Sequence, residues 1–131
     1  MTIHADFIAE VASISEVSNR CGERINFVLN RFEDYPAILI QRLSDSRSLY
    51  YANQLNWREL VYQVDVYATN YVDLVNVSEA ILEHFQAYTG NLNDNDESFV
   101  RQCNAELLVE TFEDEKPKIL RHILEVTLTA I

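Results

Sequence analysis

Apolar and polar residues alternate with little interruption from Trp57 to Thr69, and this pattern restricts the fold more than any other feature. Successive side chains of a β-strand point to opposite faces of the sheet. The alternation therefore predicts a long strand with one face in the core and one mixed face that can meet water or a polar partner. We expect Leu60, Tyr62, Val64, Val66 and Ala68 in the core, and Glu59, Val61, Gln63, Asp65 and Tyr67 on the mixed face.

A helix is predicted directly after this strand. Thr69 or Asn70 can cap its first turn, and Asp73 in that turn complements the positive end of the helix dipole. Thr89 and Gly90 end the helical segment. The spacing of its apolar residues predicts a buried stripe made of Leu74, Val75, Ser78, Leu82 and Phe85, with Ile81 and Tyr88 at the margins.

The rest of the chain predicts one more helix and four more strands. Ile3, Phe7, Val11 and Ile14 recur at helical spacing, whereas the later segments alternate as strands do. The predicted helix spans residues 3–19, and the predicted strands span 24–32, 37–43, 99–112 and about 118–131. The order helix, three strands, helix, two strands is typical of an α+β fold, with a mostly antiparallel sheet of about five strands and two helices packed on one face.

Two polar connections and the strand at 99–112 carry further expectations. Residues 44–56 are predicted to form a long polar loop. Residues 91–98 are predicted to form a solvated acidic loop, since they lack the glycine and the distant bidentate glutamate of a calcium-binding EF-hand. In the strand we expect Cys103, Ala105, Leu107 and Val109 to face inward, and Gln102, Asn104, Glu106 and Glu110 to face outward.

The composition is typical of a single acidic domain. The chain has 131 residues, of which 48% are hydrophobic, and a formal net charge of −11. A domain of this size can bury about two thirds of its unfolded surface without a disulfide or a metal. The excess of carboxylates repels phosphate groups and therefore disfavours tight binding to nucleic acids. The first residues lack the basic segment of a secretory signal, and no stretch has the apolar length of a membrane span, so we expect synthesis in the cytoplasm.

No group of residues has the spacing of a catalytic or metal-binding motif. His4, His84 and His122 fall on three separate predicted elements, and Cys21 and Cys103 are far apart in sequence. No nucleophile elbow and no phosphate-binding glycine loop is present. We therefore expect no metal, no cofactor and no enzymatic activity, because a small-molecule enzyme needs a concave pocket with convergent polar groups.

Aromatic residues gather in the 44–56 loop and at the beginning of the strand that follows it. Tyr and Trp provide large contact areas at a low entropic cost, and long loops are frequently functional. We therefore predict a protein-interaction surface that combines this loop with the polar face of the strand. Its candidate residues are Arg47, Tyr50, Tyr51, Trp57, Glu59, Gln63 and Asp65.

The segment from Pro36 to Phe85 resembles the tail-completion proteins of long-tailed bacteriophages, which include tail terminators and tail-to-head joining proteins. The resemblance lies in the order of the elements and in a QVDVYA strand, and it covers most of the chain. The matching features are Arg24-Ile25, the strand Pro36 to Arg42, the strand Gln63 to Ala68, the helix Tyr71 to Phe85, and the C-terminal strands between Arg101 and Ile131.

This resemblance implies a structural virion protein of the tail or neck, assembled in the cytoplasm of the bacterial host. Its copies are expected to form a ring, commonly six-fold, that caps the tail-tube protein, ends tube polymerisation and offers a docking surface to the head-tail connector. DNA is expected to pass through an acidic lumen without specific binding, because like charges repel. The candidate lumen residues are Asp45, Asp94, Asp96, Glu113, Asp114 and Glu115. The alternative function is that of a non-enzymatic protein-binding adaptor outside a virion.

Overall fold

Six strands and three α-helices make up the fold of the protein in a computed structural model, which describes residues 2–22, 24–26, 35–48, 57–113 and 119–130. At positions 26, 47, 48, 57, 112 and 113 the backbone alone is described. In chain order the elements are α1 Ile3–Ser13, α2 Ser15–Arg20, β1 Ile25–Asn26, β2 Ala37–Ser48, β3 Trp57–Ala68, α3 Tyr71–Phe85, β4 Gly90–Asn91, a 3-10 turn Leu92–Asp94, β5 Phe99–Glu113 and β6 Ile119–Ala130.

The strands form one sheet in the order β1-β2-β3-β6-β5-β4, so that β6 lies between two strands that precede it in the chain. Every described pair is antiparallel except β1 with β2. The prediction of an α+β fold with a mostly antiparallel sheet is therefore confirmed. The strand that the sequence did not predict is β4, which lies where a helix end and a loop were expected. Its two residues are too few to show an alternating pattern.

The face of β3 that was predicted to enter the core does so. Leu60, Tyr62, Val64, Val66 and Ala68 are all fully buried, and β3 is paired along its whole length with β2 and β6. The alternation is reliable here because a central strand has neighbours on both edges and must place one row of side chains against the helices.

The helices lie on this face of the sheet. The ring of Phe7 on α1 stacks on Tyr62 of β3 with 4.0 Å between the centroids, and it lies 5.2 Å from the ring of Phe85 on α3. All three rings are buried. Because each buried aromatic side chain contributes about 1.5–3 kcal/mol relative to an exposed one, this contact is a principal link between both helices and the sheet.

The prediction of one helix over residues 3–19 is wrong at Ile14, where the backbone is extended (φ −63°, ψ 129°) and separates α1 from α2. Val11 and Val17 are both buried. An unbroken helix would place these two side chains about 120° apart around its axis. The break allows each of them to reach the core, which the amphipathic spacing of α1 alone does not reveal.

Helix α3 has the predicted start but a rotated buried face. The side chain of Asn70 accepts a hydrogen bond from the backbone N–H of Val72 at 2.8 Å, as a helix cap does. Val75 and Leu82, which were predicted to be buried, are partly exposed, because α3 is apolar over more than one stripe and its packing on β3, β5 and β6 selects the face. The buried residues are Leu74, Val77, Ser78, Ile81 and Phe85.

Strand β2 is longer than predicted, because residues 44–48 belong to it and not to a loop. Pairing with β3 continues to the Ser48–Trp57 pair after an irregularity at Leu43, which has no partner. Backbone hydrogen bonding to β3 therefore outweighs the polar character of these residues. The remainder of the predicted loop, residues 49–56, lies outside the described part of the chain.

A β-bulge at Leu108 makes part of the predicted pattern of β5 wrong. Cys103 and Ala105 are buried as predicted, but Leu108 has no partner on β6 and pairing resumes at Val109. One extra residue exchanges the faces of all the side chains that follow it. Val109 therefore lies opposite Ile123 on the face without helices, and Glu110 lies opposite His122 on the helix side.

The acidic segment 91–98 is docked on α1 and is only partly solvated. Ser98 is buried and donates its hydroxyl to Oδ2 of the buried Asp6, which also accepts from Asn95 Nδ2 at 2.9 Å. Burial raises the pKa of Asp6, but the hydrogen bonds from Ser98 and Asn95 more than offset this and hold the pKa below its ordinary value. Asp6 therefore acts as a charged anchor for the loop.

We expect Asp6→Asn to lower the free energy of unfolding by about 1–3 kcal/mol at pH 7, because a neutral amide oxygen accepts the hydrogen bonds from Ser98 and Asn95 more weakly than the charged carboxylate oxygen does. The depressed pKa of Asp6 gives stability that is present above about pH 4 and is lost as the pH falls through the lower pKa of the folded protein. Urea unfolding of the variant should therefore depend less on pH below 4 than that of the wild type.

Asp94→Asn is the matched control, since Asp94 is exposed on the same loop. We expect it to change the free energy of unfolding by less than about 0.5 kcal/mol. Equal effects of the two substitutions would contradict the role assigned to Asp6.

Candidate functional site

One face of the sheet is covered by helices, and the opposite face, which we call the open face, has no described helix on it. Side chains that lie opposite each other in the strand pairs share a face, so its composition follows from the register. Its residues include Glu59, Val61, Gln63, Asp65 and Tyr67 of β3, Arg121, Ile123, Glu125, Thr127 and Thr129 of β6, Gln102, Asn104, Glu106 and Val109 of β5, and Gln41 of β2.

Three carboxylates stand on the open face without a cation beside them. Glu125 on β6 lies between Gln63 on β3 and Glu106 on β5. Glu59 lies on the same face of β3, two residues before Val61. Within the described residues, none of the three carboxylates forms a salt bridge. Glu106 and Glu125 lie directly opposite each other, and this pair of like charges slightly destabilises the fold of the single chain. The open face is therefore a polar surface of negative potential.

Asp65 is an exception, because its charge is neutralised within the chain. It is 2% exposed, Arg121 contacts its carboxylate at 2.6 Å, and Gln63 donates to it at 3.0 Å. The guanidinium of Arg121 also lies over the ring of Tyr67. Gln63 and Asp65 share the predicted face with Glu59, but of these three residues only Glu59 is exposed.

The other predicted interface residues belong to the ends of two strands or lie outside the described residues. The backbones of Arg47 and Trp57 are paired with Arg58 and Ser48, so both belong to the β2–β3 ladder. Tyr50 and Tyr51 fall outside the described part of the chain.

The predicted lumen residues are not gathered at one place. Asp45 is a strand residue of β2 on the helix side, where Arg58 binds both of its oxygens at 2.9 and 2.8 Å. This ion pair raises the pKa of Arg58 and neutralises Asp45. Asp94 and Asp96 are exposed on the loop between β4 and β5. Glu113 is the last residue of β5, and Asp114 and Glu115 lie outside the described residues.

A second exposed feature was missed by the sequence analysis. Beyond Ala105, no described strand pairs with the outer edge of β5, since β4 covers only the beginning of that strand. Large apolar side chains cluster there, and the hydroxyl of Tyr71 reaches Glu110 at 3.3 Å. We call this surface the apolar edge; it consists of Tyr71 (51% exposed), Val72 (61%), Leu107 (42%), Leu108 (48%) and Val109 (44%).

A signal for the apolar edge is present in the sequence. The run Leu107-Leu108-Val109 places three apolar residues in succession inside an alternating strand. Successive side chains of a regular strand alternate between the two faces, and a bulge is needed to place neighbouring ones on the same face. The interruption therefore indicates that at least one of these side chains faces away from the core.

A buried polar chain links α3 to the sheet beside this edge. His122 accepts or donates a hydrogen bond with Ser78 Oγ at 2.9 Å through Nδ1, and with Glu110 Oε2 at 2.6 Å through Nε2. The hydrogen bond and charge of His122, together with Tyr71, hold the pKa of Glu110 below its ordinary value. The order serine, histidine, carboxylate is that of a hydrolase triad, but Ser78 is 2% exposed under the helix, where a substrate has no access.

Neither cysteine is activated as a nucleophile. Burial raises the pKa of the Cys21 thiol to about 11 and that of the Cys103 thiol to about 12. A thiol with such a pKa carries almost no thiolate near neutral pH.

The surface depressions bordered by described residues are shallow and open. One lies on the open face around Glu59, Asn104 and Thr127, and another lies between Arg42 and the beginning of α1. Among the described residues, no group of three or more histidine, cysteine, aspartate and glutamate side chains is arranged to hold a metal ion. None of the helices that the structure describes has the length and apolarity required to cross a membrane.

No protein-family model matches the chain, and no curated protein matches it. A chain in a solved structure described as the virion of a native gene transfer agent particle is similar with a TM-score of 0.49 and 10% sequence identity, over 98% of this chain and 90% of that one.

We expect Ser78→Ala to lower the free energy of unfolding by about 1–3 kcal/mol, because it leaves Nδ1 of the buried His122 without a partner. Ser13→Ala is the control, since the Ser13 hydroxyl is exposed and bonds only the carbonyl of Glu10 among the described residues. That control should change the unfolding free energy by less than about 0.5 kcal/mol in urea titrations. Equal stability of the two variants would argue against a structural role for the chain of hydrogen bonds.

Proposed function

We propose that the protein is a structural subunit of a phage tail-completion ring, which caps the tail tube and provides the surface that joins tail to head. The chain acts in this proposal by fitting against copies of itself, the tail-tube protein and the head-tail connector. No bond is made or broken. The proposal is supported by the sequence resemblance described above, whose matching segments correspond to β1, β2, β3, α3, β5 and β6 of the fold.

The observation that carries the proposal is the apolar edge beside the open face. Five large apolar side chains that are each at least 42% exposed lie on the part of β5 that no described strand covers and on the start of α3, where Tyr71 reaches Glu110 of β5. Exposed apolar side chains on a strand edge promote association between proteins. A surface of this kind on an acidic domain favours a function in assembly.

The open face suits the inner wall of a ring through which DNA passes. Glu59, Glu106 and Glu125 project from three strands, and no described cation neutralises them. A wall of negative potential repels the phosphate backbone and leaves the passing DNA without a binding site. We therefore assign these three carboxylates to the lumen, alongside the exposed Asp94 and Asp96.

Ring closure also accounts for the end of tube growth in this proposal. A contact between two different surfaces of the same subunit produces a closed ring when the rotation between copies closes. Once the ring sits on the last layer of the tube, the tube-binding surface is covered and the exposed face of the ring differs from that of a tube layer. Further tube subunits then find no matching surface.

The test is to add the purified protein to polymerising tail-tube subunits and to measure tube lengths by negative-stain microscopy. We expect tubes to become shorter as the ratio of this protein to tube subunit rises, with a ring-shaped density at one end. Bovine serum albumin at the same concentration controls for crowding.

Two outcomes would contradict the proposal. Tube lengths that stay unchanged at excess protein would exclude capping. A protein that remains monomeric at high concentration and binds an unrelated protein would favour the adaptor function.

A particle assembled with Glu106→Gln/Glu125→Gln should form normally but release its DNA more slowly, because the lumen repels DNA less. The matched control is Glu79→Gln/Glu83→Gln, which removes two neighbouring carboxylates from the exposed side of α3 with the same change in net charge. The readout is the rate of DNA ejection measured by dye fluorescence. Ejection at the wild-type rate from the Glu106/Glu125 variant would remove these residues from the lumen.

A further inference from the structure

The two edges of the sheet differ in charge as well as in position. At the β5 edge, Glu106 and Glu110 flank the exposed run Leu107–Val109. At the β2 edge, Leu43 is 53% exposed and lies next to the Arg42 side chain, which is 40% exposed. Each copy of the chain therefore carries an apolar surface with carboxylates at one edge and an apolar residue with a guanidinium at the other.

At the β2 edge, the side chains of Arg42 and Leu43 reach solvent. Among the described residues, β1 pairs only with Ile38 and Leu39 of β2. Leu43 lies further along the strand, at the point where the register with β3 shifts. The guanidinium of Arg42 reaches Asp45 only at 3.7 Å, whereas Arg58 binds that carboxylate with two short hydrogen bonds. Arg42 can therefore turn toward a carboxylate from another molecule.

Arg42 at one edge and Glu110 at the other lie on the same side of the sheet. Arg42 is opposite Tyr62, and Glu110 is opposite His122, and both of these partners face the helices. Glu110 keeps 41% of its side chain exposed while it bonds His122. If two sheets meet edge to edge in the same orientation, Arg42 of one copy and Glu110 of the next face the same side.

We propose that copies of this chain associate head to tail, with the apolar edge of one copy packed against the β2 edge of the next around Leu43 and Arg42. The inference rests on the proposed ring and specifies its subunit contact. The helix-covered faces of the two sheets then lie on one side of the boundary and the open faces on the other. A ring built this way has Glu59, Glu106 and Glu125 on one wall.

A two-fold contact between two apolar edges is disfavoured by charge. It would bring Glu106 and Glu110 of one copy close to the same residues of the other, in a chain whose formal net charge is already −11. Like charges at an interface oppose association and suppress the wrong pairing. A second copy that uses its β2 edge instead brings Arg42 toward these carboxylates, and the charges are then complementary.

The test uses one variant for each edge. Leu108→Lys places a cation on the apolar edge where Arg42 of the neighbour would lie, and Leu43→Asp places a carboxylate where Glu110 of the neighbour would lie. We expect each substitution to weaken self-association about 30-fold or more in sedimentation velocity experiments. Both side chains are exposed, so far-UV circular dichroism and thermal melting should match the wild type.

Mixing the two variants gives the decisive measurement. Each variant keeps one intact edge, so a head-to-tail contact allows one 1:1 heterodimer and nothing larger. Phe99→Lys is the matched control, because Phe99 is an exposed apolar residue of β5 where β4 already covers the edge. We expect this control to assemble as the wild type does.

Several results would overturn the contact. These are a wild type that stays monomeric at high concentration, a Leu43→Asp variant that still assembles, and a mixture that yields no heterodimer while the wild type associates. The proposed function is judged separately by tube length. If the copies join through these edges but tubes keep growing, the ring function fails and the contact stands; if the edge variants still cap tubes as rings, the contact fails and the function stands.

Discussion

The insertion of β6 between β3 and β5 is the interaction on which the rest of the structure depends. β6 pairs with β3 from Leu120 to Ala130 and with β5 along most of its length, so it joins two strand groups that are otherwise separate. Its alternate side chains are buried on the helix side and half-buried on the other. Because these pairings connect distant parts of the chain, forming the sheet has a substantial entropic cost. Continuous burial of side chains along the strand offsets that cost.

The same strand sets the different characters of the two faces. On the helix side, His122 is the one polar residue in the buried row of β6, and Ser78 and Glu110 provide its hydrogen bonds. On the open face, Arg121 neutralises the buried Asp65, while Glu125 meets a glutamine and a glutamate on its neighbours. The buried carboxylate of Asp65 thus has a cation beside it, which offsets the cost of desolvation, whereas the more exposed Glu125 forms no salt bridge among the described residues.

Sequence reasoning succeeded where a segment is long, central and strictly periodic. The core face of β3 and the cap of α3 at Asn70 were predictable, because alternation and capping are local properties of the chain. The break at Ile14 and the rotated face of α3 were not, because each depends on what the helix packs against. The partners of Asp6 and His122 lie more than forty residues away or across the sheet, and local pattern gives no access to such contacts.

The candidate site was predicted in part for the same reason. Alternation placed Glu59, Gln63 and Asp65 on one face, but only the register revealed that Arg121 covers Asp65. Leu107 and Val109 of the apolar edge were assigned to the core because the strand was taken as regular through both residues. The extension of β2 to Ser48 was missed because backbone pairing imposes no apolar pattern on the residues it recruits.

The bulge at Leu108 is a point where a small change in the sequence can alter the exposed surface. A single inserted or deleted codon in that part of β5 would reverse which side chains face outward, while Cys103 and Ala105, which precede it, would keep their places in the interior. Small insertions and deletions at this point can therefore change the exposed surface of β5 without rebuilding the rest of the domain.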